Sequence, residues 1–163
     1  MVIKMGENFD NSRINTSAGF IVEASLEQLR KAAEKVLFEF DEVRYDQNGE
    51  EQSPEEEMEP GDSIIFEEKI KQGPAQVVIV TIIRGLWYVI STSEMPQGGY
   101  GSGRDAMRAA EAEEKRERII KEFLRKEAGV KKIENVCDWK PDLRSEAADV
   151  LGIINTASRK WVH

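Results

Sequence analysis

At 163 residues, 40% apolar and 33% charged, the chain has the size and the core material of one globular domain and is too apolar to be a disordered segment. Its formal net charge of −8 is uneven: residues 1–60 carry 15 acidic and 6 basic side chains, 61–103 sum to −1 and 104–163 to +2. The acidic front disfavours a nucleic-acid groove there, since phosphates would be repelled.

Residues 1–18 lack periodicity and read as a flexible arm, with no apolar stretch of signal-peptide length. Phe20–Ala24 reads as a short strand. Ser25 and Gln28 then spell a capping box, and Leu26, Leu29, Ala33 and Val36 give the following helix a core stripe. Leu37–Tyr45 reads as a strand and Asn48-Gly49 as a tight turn. Residues 46–61 form an acidic, proline-punctuated loop whose like charges repel, so it is expected to be mobile. Strands are expected at Ser63–Ile70, Val77–Ile83 and Leu86–Ile90, the last two apolar on both faces and therefore covered on both faces.

A long charged helix spans 104–128, ending at Gly129. Its Glu111–Lys115, Glu114–Arg118, Glu117–Lys121 and Glu122–Lys126 spacings place opposite charges one turn apart. A C-terminal helix over 143–160 presents Leu143, Ala147, Val150, Leu151, Ile154 and Trp161 on one face, with Asp142 as its cap. The expected fold is α+β: a mostly antiparallel sheet of four to five strands, with the long helix and the last helix as its C-terminal layer. Residues 19–163 make a single domain.

The turn Gln97-Gly98-Gly99-Tyr100-Gly101-Ser102-Gly103 runs from a strand into a helix N-terminus, where free N–H groups and the helix dipole favour an anion. Gly98, Gly99, Gly101, Gly103, Arg104 and Arg108 are the candidate phosphate site. Gly98 and Gly103 have the separation of a P-loop, but Arg104-Asp105 stands where that loop has Lys-Ser/Thr. Gly101-Ser102-Gly103-Arg104 resembles the end of the acetyl-CoA loop of the acetyl-CoA-dependent N-acetyltransferases. The family's Gln/Arg position falls on Gly98, with Gln97 one residue early. That resemblance implies a pyrophosphate held by backbone amides. The plainer reading is a hinge that lets the long helix leave the sheet, and it leads.

Other chemistry is thin. The one histidine, His163, is the last residue, which argues against a histidine triad or a multi-histidine metal site. Cys137 has no histidine beside it and reads as a structural thiol. As the one cysteine it cannot close an intrachain disulfide, and it fits a cytoplasmic setting. No apolar run reaches membrane-spanning length. The function expected first is a non-catalytic protein-interaction module (adaptor, inhibitor or assembly factor) with a protein partner or a homodimer. A small transferase or nucleotide/CoA-binding enzyme using the glycine turn comes second, and a small-ligand carrier third. The sequence identifies no cofactor.

Overall fold

Strand-forming segments joined by tight turns pair antiparallel, and the chain does so in a computed structural model that describes residues 19–69, 76–93, 101–139 and 141–158. In chain order the elements are β1 (Phe20–Val22), α1 (Leu26–Glu34), β2 (Phe40–Tyr45), β3 (Glu51–Gln52), β4 (Ser63–Glu68), β5 (Gln76–Ile83), β6 (Leu86–Ser93), α2 (Gly103–Lys126), β7 (Ile133–Asn135), a 3-10 turn (Val136–Asp138) and α3 (Pro141–Ser158). These seven strands form one antiparallel sheet, ordered β3-β2-β4-β5-β6-β1-β7. The middle is a meander. β1 adds to the far side of β6, and β7 closes that side by pairing Ile21 with Glu134.

Alternation along the strands splits the core into two layers. Ile21, Ile65, Ile79, Tyr88 and Ile90 face one side, where Leu143, Ala147 and Leu151 of α3 cover them. Phe20, Val22, Ile64, Phe66, Val80 and Val89 face the other, beneath Leu29, Ala32 and Ala33 of α1 and Ile120 and Leu124 of α2. Each such aliphatic or phenyl side chain contributes about 1.5–3 kcal/mol on burial, so both layers are needed to hold the central strands.

Local signals act as their chemistry dictates. Ser25 Oγ accepts the Gln28 N–H at 3.1 Å and Gln28 Oε1 accepts the Ser25 N–H at 2.9 Å, a complete capping box. Arg84 (φ +54°) and Gly85 (φ +80°) form the two-residue turn between β5 and β6, whose positive φ angles match the strand twist. Arg84 takes this conformation while its guanidinium reaches Asp142 at 2.9 Å and Glu146 at 2.5 Å, tying the turn to α3. After α2 the chain reverses at Gly129, and the Val130 N–H bonds the Leu124 carbonyl at 2.8 Å.

The architecture is α+β and antiparallel as expected, but it has seven strands rather than four to five. The additional strands are two or three residues long and exist only because a distant partner pairs with them: β3 lies in the acidic loop, and β7 follows the long helix. The two long helices do not share a layer. α2 lies with α1 on one face and α3 lies on the other, so the chain itself covers both apolar faces. That removes the need for a second molecule over an open face. Pro141 occupies the first helical position of α3, where its missing N–H costs nothing, so Asp142 lies inside the first turn and is not the cap. Ile154 and Trp161 are not among the side chains described, and the arm 1–18 and His163 fall outside the described residues.

Candidate functional site: a charged helix across the end of the sheet

Three features converge on α2. The first is the glycine turn. Gly98 and Gly99 lie outside the described residues. At the turn's end, Ser102 caps α2: its Oγ accepts the Asp105 N–H at 3.2 Å and its carbonyl accepts the Ala106 N–H. A Cβ on Gly101 would meet Asp105 Oδ2 at 3.2 Å, whereas one on Gly103 would meet open space. Arg104 and Arg108 are exposed. The Ser102 hydroxyl thus takes one donor that an anion would use, and the Asp105 carboxylate stands at the turn. From Gly103 to Ala112 only Ala109 is even partly covered, so about 15 Å of helix runs beyond its contact with the sheet.

The second feature is a buried polar junction where β6 ends. Ser91 and Ser93 continue the face that carries Val89, and α2 meets them with Arg116, one turn before Ile120. Arg116 is 7% exposed. Its Nε donates to Ser91 Oγ at 2.7 Å, and its Nη2 donates to the Thr92 carbonyl at 2.9 Å and to Ser93 Oγ at 3.1 Å. Glu113 is half-buried beside Ser93. Its burial pushes the carboxyl up to about 7, against the opposing pull of Arg116 and the Ser93 hydrogen bonds. Glu117 faces the backbone N–H groups of Ser91 and Gly19 and is also raised, again chiefly by burial. Across the sheet the Tyr88 phenol is raised by burial and secondarily by the Glu117 charge.

A carboxyl raised in the folded state binds its proton more tightly there than in the unfolded chain. Glu113 therefore supports folding below about 4.5, and that support is lost as pH rises towards about 7. Glu117 acts in the same direction. Urea unfolding between pH 5 and pH 8 is expected to show stability falling with pH, and Glu113→Gln should flatten the slope by on the order of 1–3 kcal/mol. An unchanged slope in the variant would remove Glu113 from the account.

The third feature is a groove of about 510 Å³ along the outer edge of β7. Arg118, Lys121, Glu122, Arg125 and Lys126 of α2 form one wall, with Lys126 paired to Glu122 at 3.1 Å, and Ile133, Glu134, Asn135, Asp138 and Trp139 belong to the other. Lys121 Nζ donates to Asn135 Oδ1 at 2.6 Å and lies over the Phe20 ring, which anchors that wall to the sheet. Arg118 stays 68% exposed, with Glu114 at 3.9 Å. Among the described residues β7 pairs with β1 alone, and its three residues Ile133, Glu134 and Asn135 all line this groove. Between Lys115 and Trp139, the span that holds the whole lining, there are 8 basic and 5 acidic side chains, an excess of three positive charges.

The sequence pattern misses the second and third features. It ends the strand at Ile90, three residues short of Ser93. The signal it overlooks is Arg116 at i−4 from Ile120, a charge continuing an apolar stripe. No family model matches the chain, and neither the curated proteins nor the solved structures include a significant match. Among the described residues, no helix is long and apolar enough to cross a membrane.

Proposed function

We propose that the chain is a protein-binding module, of the kind used as adaptors, inhibitors or assembly factors, and that it takes its partner in the groove beside β7. The observation that carries this reading is a strand edge, unpaired among the described residues, lying next to a row of cationic side chains. Strand edges bind extended segments through main-chain hydrogen bonds, while neighbouring side chains select which segment. Ile133 and Trp139 give the groove apolar surface, and its four cations outnumber the carboxylates of Glu122, Glu134 and Asp138, which favours an acidic occupant. A reducing compartment suits the single cysteine.

The test is native mass spectrometry of the protein purified from its own source. A stoichiometric protein partner is expected. Arg118→Glu combined with Arg125→Glu should remove it, since both residues are exposed and neither holds the core. A retained phosphate-bearing small molecule, with no protein partner, would overturn the proposal in favour of the CoA- or nucleotide-binding reading of Gly101, Gly103, Arg104 and Arg108.

A further inference from the structure

The two ends of the sheet differ in charge: the β7 end, with 8 basic and 5 acidic side chains over 115–139, has a modest positive excess. Residues 46–68 contain ten acidic side chains and no basic one. They flank and form β3, which among the described residues pairs with β2 alone and so leaves its other edge unpaired. Glu51, Glu55, Glu56, Glu57 and Glu59 are exposed. The seventh strand, at the opposite end, borders the basic groove. Six strand spacings separate the two edges, roughly 29 Å. Charges screened over about 8 Å at physiological salt cannot neutralise one another across that distance within one copy.

The acidic edge is also held in shape. Asp46 Oδ1 accepts the N–H groups of Asn48 at 2.8 Å and Glu50 at 2.9 Å. Arg44 Nη1 donates to the Glu56 carbonyl at 2.9 Å, and Asp62 Oδ2 accepts the Glu59 N–H at 2.9 Å. Met58 packs against the core layer beneath α1 and α2. These contacts use the side chains of Arg44, Asp46, Asp62 and Met58; Glu55 Oε2 accepts the Ser53 hydroxyl at 3.0 Å, and Glu51, Glu55, Glu56, Glu57 and Glu59 stay exposed. A segment fixed in this way loses less conformational entropy on docking.

Resting on the binding-module reading, we infer that the occupant of the β7 groove is a second copy of this chain, presented by its acidic β3 edge. The contact joins two different surfaces, head to tail. It therefore closes into a ring or extends into a filament and does not stop at a two-fold dimer. Edge meets edge, so the sheet continues from copy to copy, with Glu55–Glu57 of one facing Arg118, Arg125 and Lys126 of the next.

Sedimentation velocity on the full chain tests this. Association that grows with concentration at low salt and weakens at least about tenfold at roughly 0.5 M salt is expected. Two charge-reversed proteins, one carrying Arg118→Glu and Arg125→Glu, the other Glu55→Lys, Glu56→Lys and Glu57→Lys, should each sediment as monomers with unchanged circular dichroism. Their equimolar mixture should associate again, because each then offers the other a complementary surface. A folding defect cannot produce that rescue. Three outcomes overturn the inference: a wild-type monomer at every concentration, association that survives both reversals, or a mixture that stays monomeric. If the wild type is monomeric while the arginine reversal still abolishes capture of a different protein from the source, self-association fails and the binding-module reading stands.

Discussion

Replacing Arg116 with methionine is expected to cost about 3–5 kcal/mol of folding stability, in the range for removing one partner from a buried charge cluster. Methionine fills much of the volume but supplies no donor. The Thr92 carbonyl and the Ser91 and Ser93 hydroxyls each lose a hydrogen bond to Arg116 in a place water reaches poorly. Glu113 loses the cation that holds its carboxyl down, which pushes that carboxyl further up. Arg116→Lys should recover only part, because an ammonium cannot span three acceptors with the guanidinium's planar geometry. Adding Glu113→Gln to Arg116→Met should return on the order of 1 kcal/mol, since the two side chains interact and their effects are not additive. Urea unfolding of the three variants decides the matter. A loss below about 1 kcal/mol for Arg116→Met would mean that the junction contributes little beyond shape.

That prediction concerns the part of the molecule the sequence conceals best. Signals confined to a few neighbouring residues were legible: the Ser25–Gln28 box, the turn at Asn48-Gly49 and the stop at Gly129 all form as their local chemistry requires. The two-faced apolar pattern of β5 and β6 correctly implied cover on both faces. It did not reveal that α2 and α3 divide those faces between them, because an amphipathic stripe does not say which side of a sheet it will meet. β7 carries no alternation of its own. Its place depends on Phe20–Val22, more than a hundred residues earlier, and no window along the chain contains both.

At the site, charge spacing held for Glu114–Arg118 at 3.9 Å and Glu122–Lys126 at 3.1 Å but not in the same way for the third pair. Glu117 and Lys121 fit the rule for an exposed helical pair, yet Glu117 turns towards the backbone of Ser91 and Gly19 while Lys121 bonds Asn135. Spacing rules assume that a helix face sees water, and here it sees the end of a strand. Most of the glycine turn lies outside the described residues, and in the described part Ser102 Oγ takes one N–H, that of Asp105. The basic groove could not be read at all, because its two walls come from separate elements.

Gly19→Ala is expected to destabilise the fold by roughly 3–5 kcal/mol, combining strain at a positive φ with overpacking. Gly19 has φ +93°, and an added Cβ would lie 2.6 Å from Tyr88 Cε1 and 2.8 Å from the Val89 carbonyl. Neither obstacle can yield. Tyr88 is wholly buried, and Val89 sits in a strand paired on both sides. Gly19 cannot retreat cheaply either, since its carbonyl accepts the Val136 N–H at 3.1 Å and its own N–H faces Glu117. At about 2–4 °C per kcal/mol for a chain of this size, the melting temperature should fall by roughly 10–15 °C. Gly103→Ala is the matched control: its Cβ meets open space at the start of α2, so it should be neutral or stabilising by a few tenths of a kcal/mol. Amide exchange would locate the damage. Protection should be lost first at Phe20–Val22 and Ile133–Asn135, and with it the β7 edge that borders the basic groove. Were β7 to keep its protection in a destabilised Gly19→Ala protein, the strain would have been absorbed elsewhere, and Gly19 would not be the joint that seats β1 and β7.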